Sequence, residues 1–159
     1  MPELRDLYDI NSNKTDKTYY KGNKIPEGYY PMVVMIVIRN SKGEFLMQKR
    51  VESKGGDWGV TGGHPKHGES PRQGIITEVK EELGVDISVE KFICTTNYNY
   101  PSFCLTMHCY LCCITNGEIE LREHKSARWL SSKHFSSIDW LPADKVVIDK
   151  ITLDLISRL

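Results

Sequence analysis

The stretch from Gly63 to Val85 reads GHPKHGESPRQGIITEVKEELGV, and it predicts a helix with both ends marked. Ser70 stands at the N-cap, Pro71 takes the first helical position, where a missing N–H costs nothing, and Gln73 completes a capping box with Ser70. Gly84 ends the helix after Leu83, because glycine enters the left-handed conformation of a C-terminal cap without a Cβ clash. The expected apolar face is Ile75, Ile76, Val79 and Leu83. Glu78, Glu81 and Glu82 follow i, i+3, i+4 spacing, so their carboxylates share one face, about 120° from the apolar stripe at 100° per residue. Like-charge pairs at this spacing cost about 0.2–0.5 kcal/mol each in an isolated helix. Such a face is either a solvated acidic surface or a cation site.

Upstream of the helix, Gly55, Gly56, Gly59, Gly62, Gly63 and Gly68 crowd a loop over 54–68, the composition of backbone that approaches a neighbour closely or turns through positive φ. Before the loop, Met32 to Arg39 is an apolar run too continuous for a surface strand, so a buried central strand is expected. Asn40-Ser41-Lys42-Gly43 reads as a turn from which Phe45 to Arg50 returns as a second strand. Downstream, strands are expected at Val89–Thr96, Phe103–Ile114 and Ala127–Leu130, then a helical turn at Ser132–Phe135. A final amphipathic helix after Pro142 is expected to bury Ile148, Ile151, Leu155 and Leu159. Residues 1–31 are polar and turn-rich, with a hairpin-like pair of segments around Asn11–Lys17, and read as an N-terminal extension packed on the core. There is no repeat or domain linker, so residues 1–159 parse as a single domain of the α/β class, an α/β/α sandwich with a mixed central sheet.

The chain of 159 residues is 40% hydrophobic, enough for a core without staples. Its 21 basic residues balance 21 acidic ones, so no whole-molecule field steers it to a nucleic acid polymer or an anionic membrane. MPELRDLYDI at the start carries charges and no apolar signal segment, and the run Met32–Ile38 is far shorter than a membrane span, which reads as a soluble, cytoplasmic protein. The five cysteines all fall between Cys94 and Cys113, unlike a disulfide framework. Cys109 and Cys112 face opposite sides of a strand, which excludes them as a zinc pair and leaves the cysteines as small core hydrophobes.

Gly63, Glu69, Thr77, Glu78, Val79, Glu81, Glu82, Gly84 and Val85 stand at a spacing that resembles the Nudix box, the strand-loop-helix signature of the Nudix hydrolases, over residues 63–85. Thr77 is the one departure, where the family pattern has arginine. The resemblance implies a Nudix-type sandwich and metal-dependent cleavage of a diphosphate linkage, in a nucleoside triphosphate or another nucleoside diphosphate derivative, with water as nucleophile. It implies Mg²⁺ or Mn²⁺ as cofactor, in keeping with the preference of hard cations for carboxylate oxygens shared with phosphates and water. It further implies that Glu78, Glu81 and Glu82 bind metal and catalyse, that the carbonyl of Gly62 or Gly63 completes the metal shell, and that Glu69 supports either the loop or the metal ligands from behind. Lys80 and Arg72 are candidates for the charge that Thr77 lacks.

Two subfamilies contribute to the likeness. Residues 6–17, 25–34 and 43–50, with Gly62-Gly63-His64-Pro65, resemble Nudix proteins related to isopentenyl-diphosphate isomerase. Gly62 stands where those isomerases use a cysteine, which ranks an isoprenoid diphosphate enzyme last and makes His64 a loop or substrate-contacting residue. Residues 123–129 and 141–144 resemble the MutT-type nucleoside triphosphate pyrophosphohydrolases. That likeness implies Glu123 as metal ligand or base, Asp144 as reader of the nucleobase edge, and Arg50 as a phosphate contact. Plainer readings stand beside these: a solvated loop residue for Glu123, and for Asp144 an acid favoured by a helix N-terminus. Trp58, Tyr98, Tyr100, Phe103 and Trp140 either wall a base pocket or pack in the core. The partner so implied is a small-molecule nucleotide. The competing function is a catalytically weak Nudix-fold domain that binds or senses nucleotides.

Overall fold

The computed structural model describes residues 2–50, 58–101, 103–122, 124–138, 140 and 142–156. In chain order its elements are β1 (Leu4–Tyr8), β2 (Lys14–Tyr20), β3 (Met32–Ile38), β4 (Phe45–Arg50), β5 (Trp58–Gly59), β6 (Thr61–Gly63), α1 (Pro71–Leu83), β7 (Asp86–Tyr100), β8 (Phe103–Asn116), β9 (His124–Leu130) and α2 (Pro142–Ile156), with a 3-10 turn at Ser132–Ser137.

The apolar run of β3 is the centre of a mixed sheet ordered β6-β3-β8-β7, parallel between β3 and β8 and antiparallel elsewhere. Its side chains alternate between two cores. Val34, Ile36 and Ile38 pack with Ile75, Val79 and Leu83 of α1, whereas Met35 and Val37 pack with Val147, Ile148 and Ile151 of α2. A strand covered on both faces needs apolar residues at every position, which is why the run is continuous. The expected α/β/α sandwich is thus formed around β3.

The second strand is placed differently from expectation. The turn after β3 forms, with Asn40 Oδ1 accepting the N–H groups of Lys42 and Glu44 at 3.0 and 2.9 Å. Yet β4 meets that strand only at an Arg39–Phe45 bridge among the described residues, and it runs instead between β5 and β9 in a separate antiparallel sheet. Both edges of β3 are already taken by β6 and β8, so no ladder is open to β4. The two sheets are joined where the chain passes from β5 to β6 at the buried Val60, and by buried Gln48, whose side chain donates to the Thr61 hydroxyl.

The helix signals hold. Ser70 and Gln73 form both hydrogen bonds of the capping box, and Gly84 closes α1 at φ +72°. β7 and β8 run past their expected ends into one long hairpin, bulged near Val89 and Phe92. Ile148 and Ile151 are buried as expected; Leu159 and the side chain of Leu155 lie outside the described residues. Cys109 and Cys112 are buried in opposite cores. Among the described residues no helix is long and apolar enough to cross a membrane.

Candidate active site

The carboxylates of α1 are distributed otherwise than the apolar pattern suggests. Ile76 is 49% exposed, and its place in the buried stripe is taken by Glu82, at 7% exposure, beside Ile75, Val79 and Leu83. At 100° per residue, Glu82, Glu78 and Glu81 then fan over about 100° of helix arc from the core edge to solvent. Two glycines let the helix sit this way. A Cβ on Gly74 would lie 2.9 Å from Pro65 Cγ, and a Cβ on Gly63 would lie 2.3 Å from Glu78 Cδ. The loop therefore presses on the glutamate side of α1, and the Glu78 side chain rests on bare β6 backbone.

The third carboxylate has a cation. Lys66 Nζ, in the loop, ion-pairs with Glu81, and the hydrogen bond to that carboxylate raises the lysine's pKa. Neither residue expected to replace the box arginine reaches the glutamates. Lys80 pairs with Asp86 at 3.3 Å, and Arg72 lies over the Tyr110 ring at 5.9 Å. Both follow from helix geometry, because positions 72 and 80 project away from the β6 side where the acids gather. Thr77 serves Glu69 instead. Its hydroxyl donates to Glu69 Oε2 at 2.7 Å, while Lys66 N–H donates to Glu69 Oε1 at 2.7 Å. Glu69 thereby fastens the turn carrying Lys66 to the middle of α1, which is the first of the two roles expected of it.

The N-terminal hairpin holds the same loop from the other side. Buried Asp6 accepts from Gly68 N–H at 3.0 Å and bonds His67 Nδ1 at 2.7 Å and Lys14 Nζ at 3.3 Å; His67 N–H donates to Leu4 O at 2.8 Å. Burial works against the charge of Asp6, but these donors outweigh it and leave its carboxyl below the usual range. His64 lies by Glu3, Arg5 and Lys21, hydrogen-bonds the Met32 backbone and keeps Nδ1 buried without a partner among the described residues. Burial, with Arg5 adding to it, holds its pKa down to about 4.

That burial sets a pH dependence. An unfolded histidine titrates near pH 6.5, so as pH falls the unfolded chain takes up a proton that folded His64 refuses, and stability declines between about 6.5 and about 4. The expected loss is about 2–3 kcal/mol between pH 7.5 and 4.5. Urea unfolding at the two pH values should show it, and His64→Gln should lack that share; equal slopes in both proteins would refute the assignment.

At the far end of α1, Arg122 does what no sequence signal announced. Its backbone N–H donates to Glu82 O at 3.3 Å, and its guanidinium to Lys80 O and Glu81 O at 3.2 and 3.4 Å. A cation on the last carbonyls of a helix is favoured by the macrodipole. Arg122 so pins the segment leading to position 123 against the carboxylate helix. Glu123 itself lies outside the described residues, as do the side chains of Arg50 and Asp144. Register still places Arg50 opposite His124, and Asp144 stands in the first turn of α2. Trp58 and Trp140 are bridged side by side and half-buried, with Arg128 4.7 Å above the Trp58 ring; the side chains of Tyr98, Tyr100 and Phe103 lie outside the described residues.

Among the described residues no three His, Cys, Asp or Glu side chains already close into a metal cage. A hard divalent cation nevertheless suits the donors present: three carboxylates on one turn and a half of helix, one of them buried, one seated where any Cβ would displace it, and one balanced by a lysine. Glu78, Glu81 and Glu82, with the Gly63 carbonyl, are the groups that would hold it.

Residues 29–154 match the family model of the NUDIX domain. A Nudix hydrolase of Listeria innocua is 36% identical over 101 residues, 61% of this chain and 60% of the relative. The chain therefore spans about three-fifths of the length of that relative, and a similar share of its Listeria monocytogenes counterpart. The CTP pyrophosphohydrolase of Escherichia coli is 26% identical over 113 residues, 70% of this chain and 84% of the relative. Among solved structures, the MutT protein of Methanosarcina mazei superposes with a TM-score of 0.70 at 25% identity, covering 82% of this chain and 96% of the other.

Proposed function

The chain belongs to the Nudix family, and we propose that it is a Mg²⁺- or Mn²⁺-dependent hydrolase that cleaves a diphosphate linkage in a nucleoside triphosphate or another nucleoside diphosphate derivative. The observation that carries the reading is the seat of Glu78 on Gly63 beside buried Glu82, which fixes carboxylates where a helix, a loop and a strand meet. Held by Glu78, Glu81, Glu82 and the Gly63 carbonyl, a divalent cation would neutralise phosphate charge and make a water more acidic. The chain's own residues supply position. Gly63 admits Glu78, Glu69 and Thr77 hold the loop, and Lys66 keeps Glu81 from repelling its neighbours. Glu123 joins them as ligand or base, Arg50 contacts a phosphate and Asp144 reads the base. Trp58 and Trp140 wall the base site, and His64 serves the loop rather than the substrate. Relatives described as CTP pyrophosphohydrolase and 8-oxo-dGTP diphosphatase support a nucleotide substrate.

The test is a panel of nucleoside triphosphates, oxidised nucleotides, nucleotide sugars, dinucleoside polyphosphates and isoprenoid diphosphates, assayed with Mg²⁺, with Mn²⁺ and with chelator. Turnover of a nucleotide that chelator abolishes and added metal restores is the expected result. Tight nucleotide binding without turnover at millimolar metal would instead mark a sensing domain.

A further inference from the structure

The antiparallel register of β7 and β8 sets Cys94 directly opposite Cys109, and both side chains turn to the α2 core. Opposed residues of an antiparallel pair have Cα atoms about 4.5–5.5 Å apart, inside the span that a disulfide bridges without backbone movement. Cys94 is partly exposed whereas Cys109 is buried, so one thiol of the pair is open to a small solute and the other waits behind it. We propose that Cys94 and Cys109 form a peroxide-oxidisable dithiol, in which Cys94 is the site of attack and Cys109 the resolving thiol.

The chemistry balances with hydrogen peroxide as oxidant. The Cys94 thiolate attacks one peroxide oxygen; an S–O bond forms, the O–O bond breaks, and the departing hydroxide leaves as water with the proton that Cys94 gave up. Cys94 is then a sulfenic acid, oxidised by two electrons. Cys109 sulfur attacks it, the S–S bond forms, the S–O bond breaks, and the hydroxyl departs as a second water with the Cys109 proton. Two thiols and one peroxide give one disulfide and two waters.

The other described cysteine side chains are poor competitors. Burial pushes the Cys112 thiol up to about 12, and a hydrogen bond to Glu90 raises that of Cys113. Cys94 is drawn the other way, to about 7, chiefly by the hydrogen bond from Cys109 and further by Lys150. Thiolate at neutral pH is the reactive form, so among the described cysteine side chains oxidation should favour Cys94.

The experiment treats dilute reduced protein with stoichiometric hydrogen peroxide and maps chymotryptic peptides, since cleavage after Tyr98 and Phe103 puts Cys94 and Cys109 on different fragments, and fragment-ion sequencing tells Cys109 from Cys104 on the second of them. The expected product is the Cys94 peptide joined to the Cys109 peptide, an intact mass lower by two hydrogens, and reversal by dithiothreitol. In Cys109→Ser the reaction stops one step earlier, and dimedone labels Cys94. The proposal is overturned if both thiols of the parent protein still take iodoacetamide after peroxide and denaturation, or if Cys94 is found joined to a different cysteine or to a second chain. The parent mapping decides the matter whether or not the variant folds.

Discussion

Glu82→Gln should lower metal-dependent turnover by about 10²- to 10⁴-fold, the range for losing an essential acid–base group, while the chain stays folded. Glu82 is 7% exposed and sits at the edge of the core stripe formed by Ile75, Val79 and Leu83, next to Glu78. Glutamine has nearly the same shape, so packing beside Val79 and Leu83 persists and only the anion is lost. Glu81→Gln should also fall, but its carboxylate is half-exposed and paired with Lys66, so the variant frees a lysine at the rim and leaves the core edge untouched. Steady-state phosphate release beside thermal unfolding followed by circular dichroism separates the two effects. A Glu82→Gln protein with parental turnover would take Glu82 out of the site.

Gly63→Ala should cost about 10²-fold in turnover with little change in stability, the effect expected when a reacting group is displaced by about 1 Å. The added Cβ would stand 2.3 Å from Glu78 Cδ and 2.5 Å from Oε2, so the carboxyl group must move aside. The end of a flexible glutamate moves at small cost to folding, which is why activity should suffer rather than the melting temperature. Gly62→Ala is the control, because its Cβ would meet Val34 O at 3.2 Å and Met35 Sδ at 3.5 Å and touches no glutamate. Equal activity losses in the two alanine variants would show that the damage is to β6 in general and not to the seat of Glu78.

What could be read from sequence was whatever neighbours in the chain decide. The ends of α1 are of this kind: Ser70, Gln73 and Gly84 satisfy backbone groups within a turn of themselves, and each does so in the structure. The rotation of the same helix is not. Ile76 belongs to the apolar stripe by periodicity, yet the approach of Pro65 to Gly74 and of β6 to Glu78 turns Glu82 inward and Ile76 outward. Pairing of β4 likewise depends on β6 and β8, which come later in the chain and occupy both edges of β3. On α1 the sequence offers Lys80 and Arg72 as cations for the glutamates, but helix-mounted side chains are committed to fixed directions, whereas Lys66 on a loop reaches back across the helix face. Its one legible trace is a basic residue three before Glu69, a pattern too common to single out.

The amides of His67 and Gly68 belong to the glutamate-bearing loop but donate to Leu4 O and Asp6 Oδ2 of the first strand. Their exchange with solvent deuterium is therefore governed by how often the hairpin lifts away, and not by the opening of α1 a few residues on. The loop is in this sense a tenant of two cooperative units: one edge exchanges with the amino-terminal ribbon and the other, through Thr77 and Glu69, with the helix.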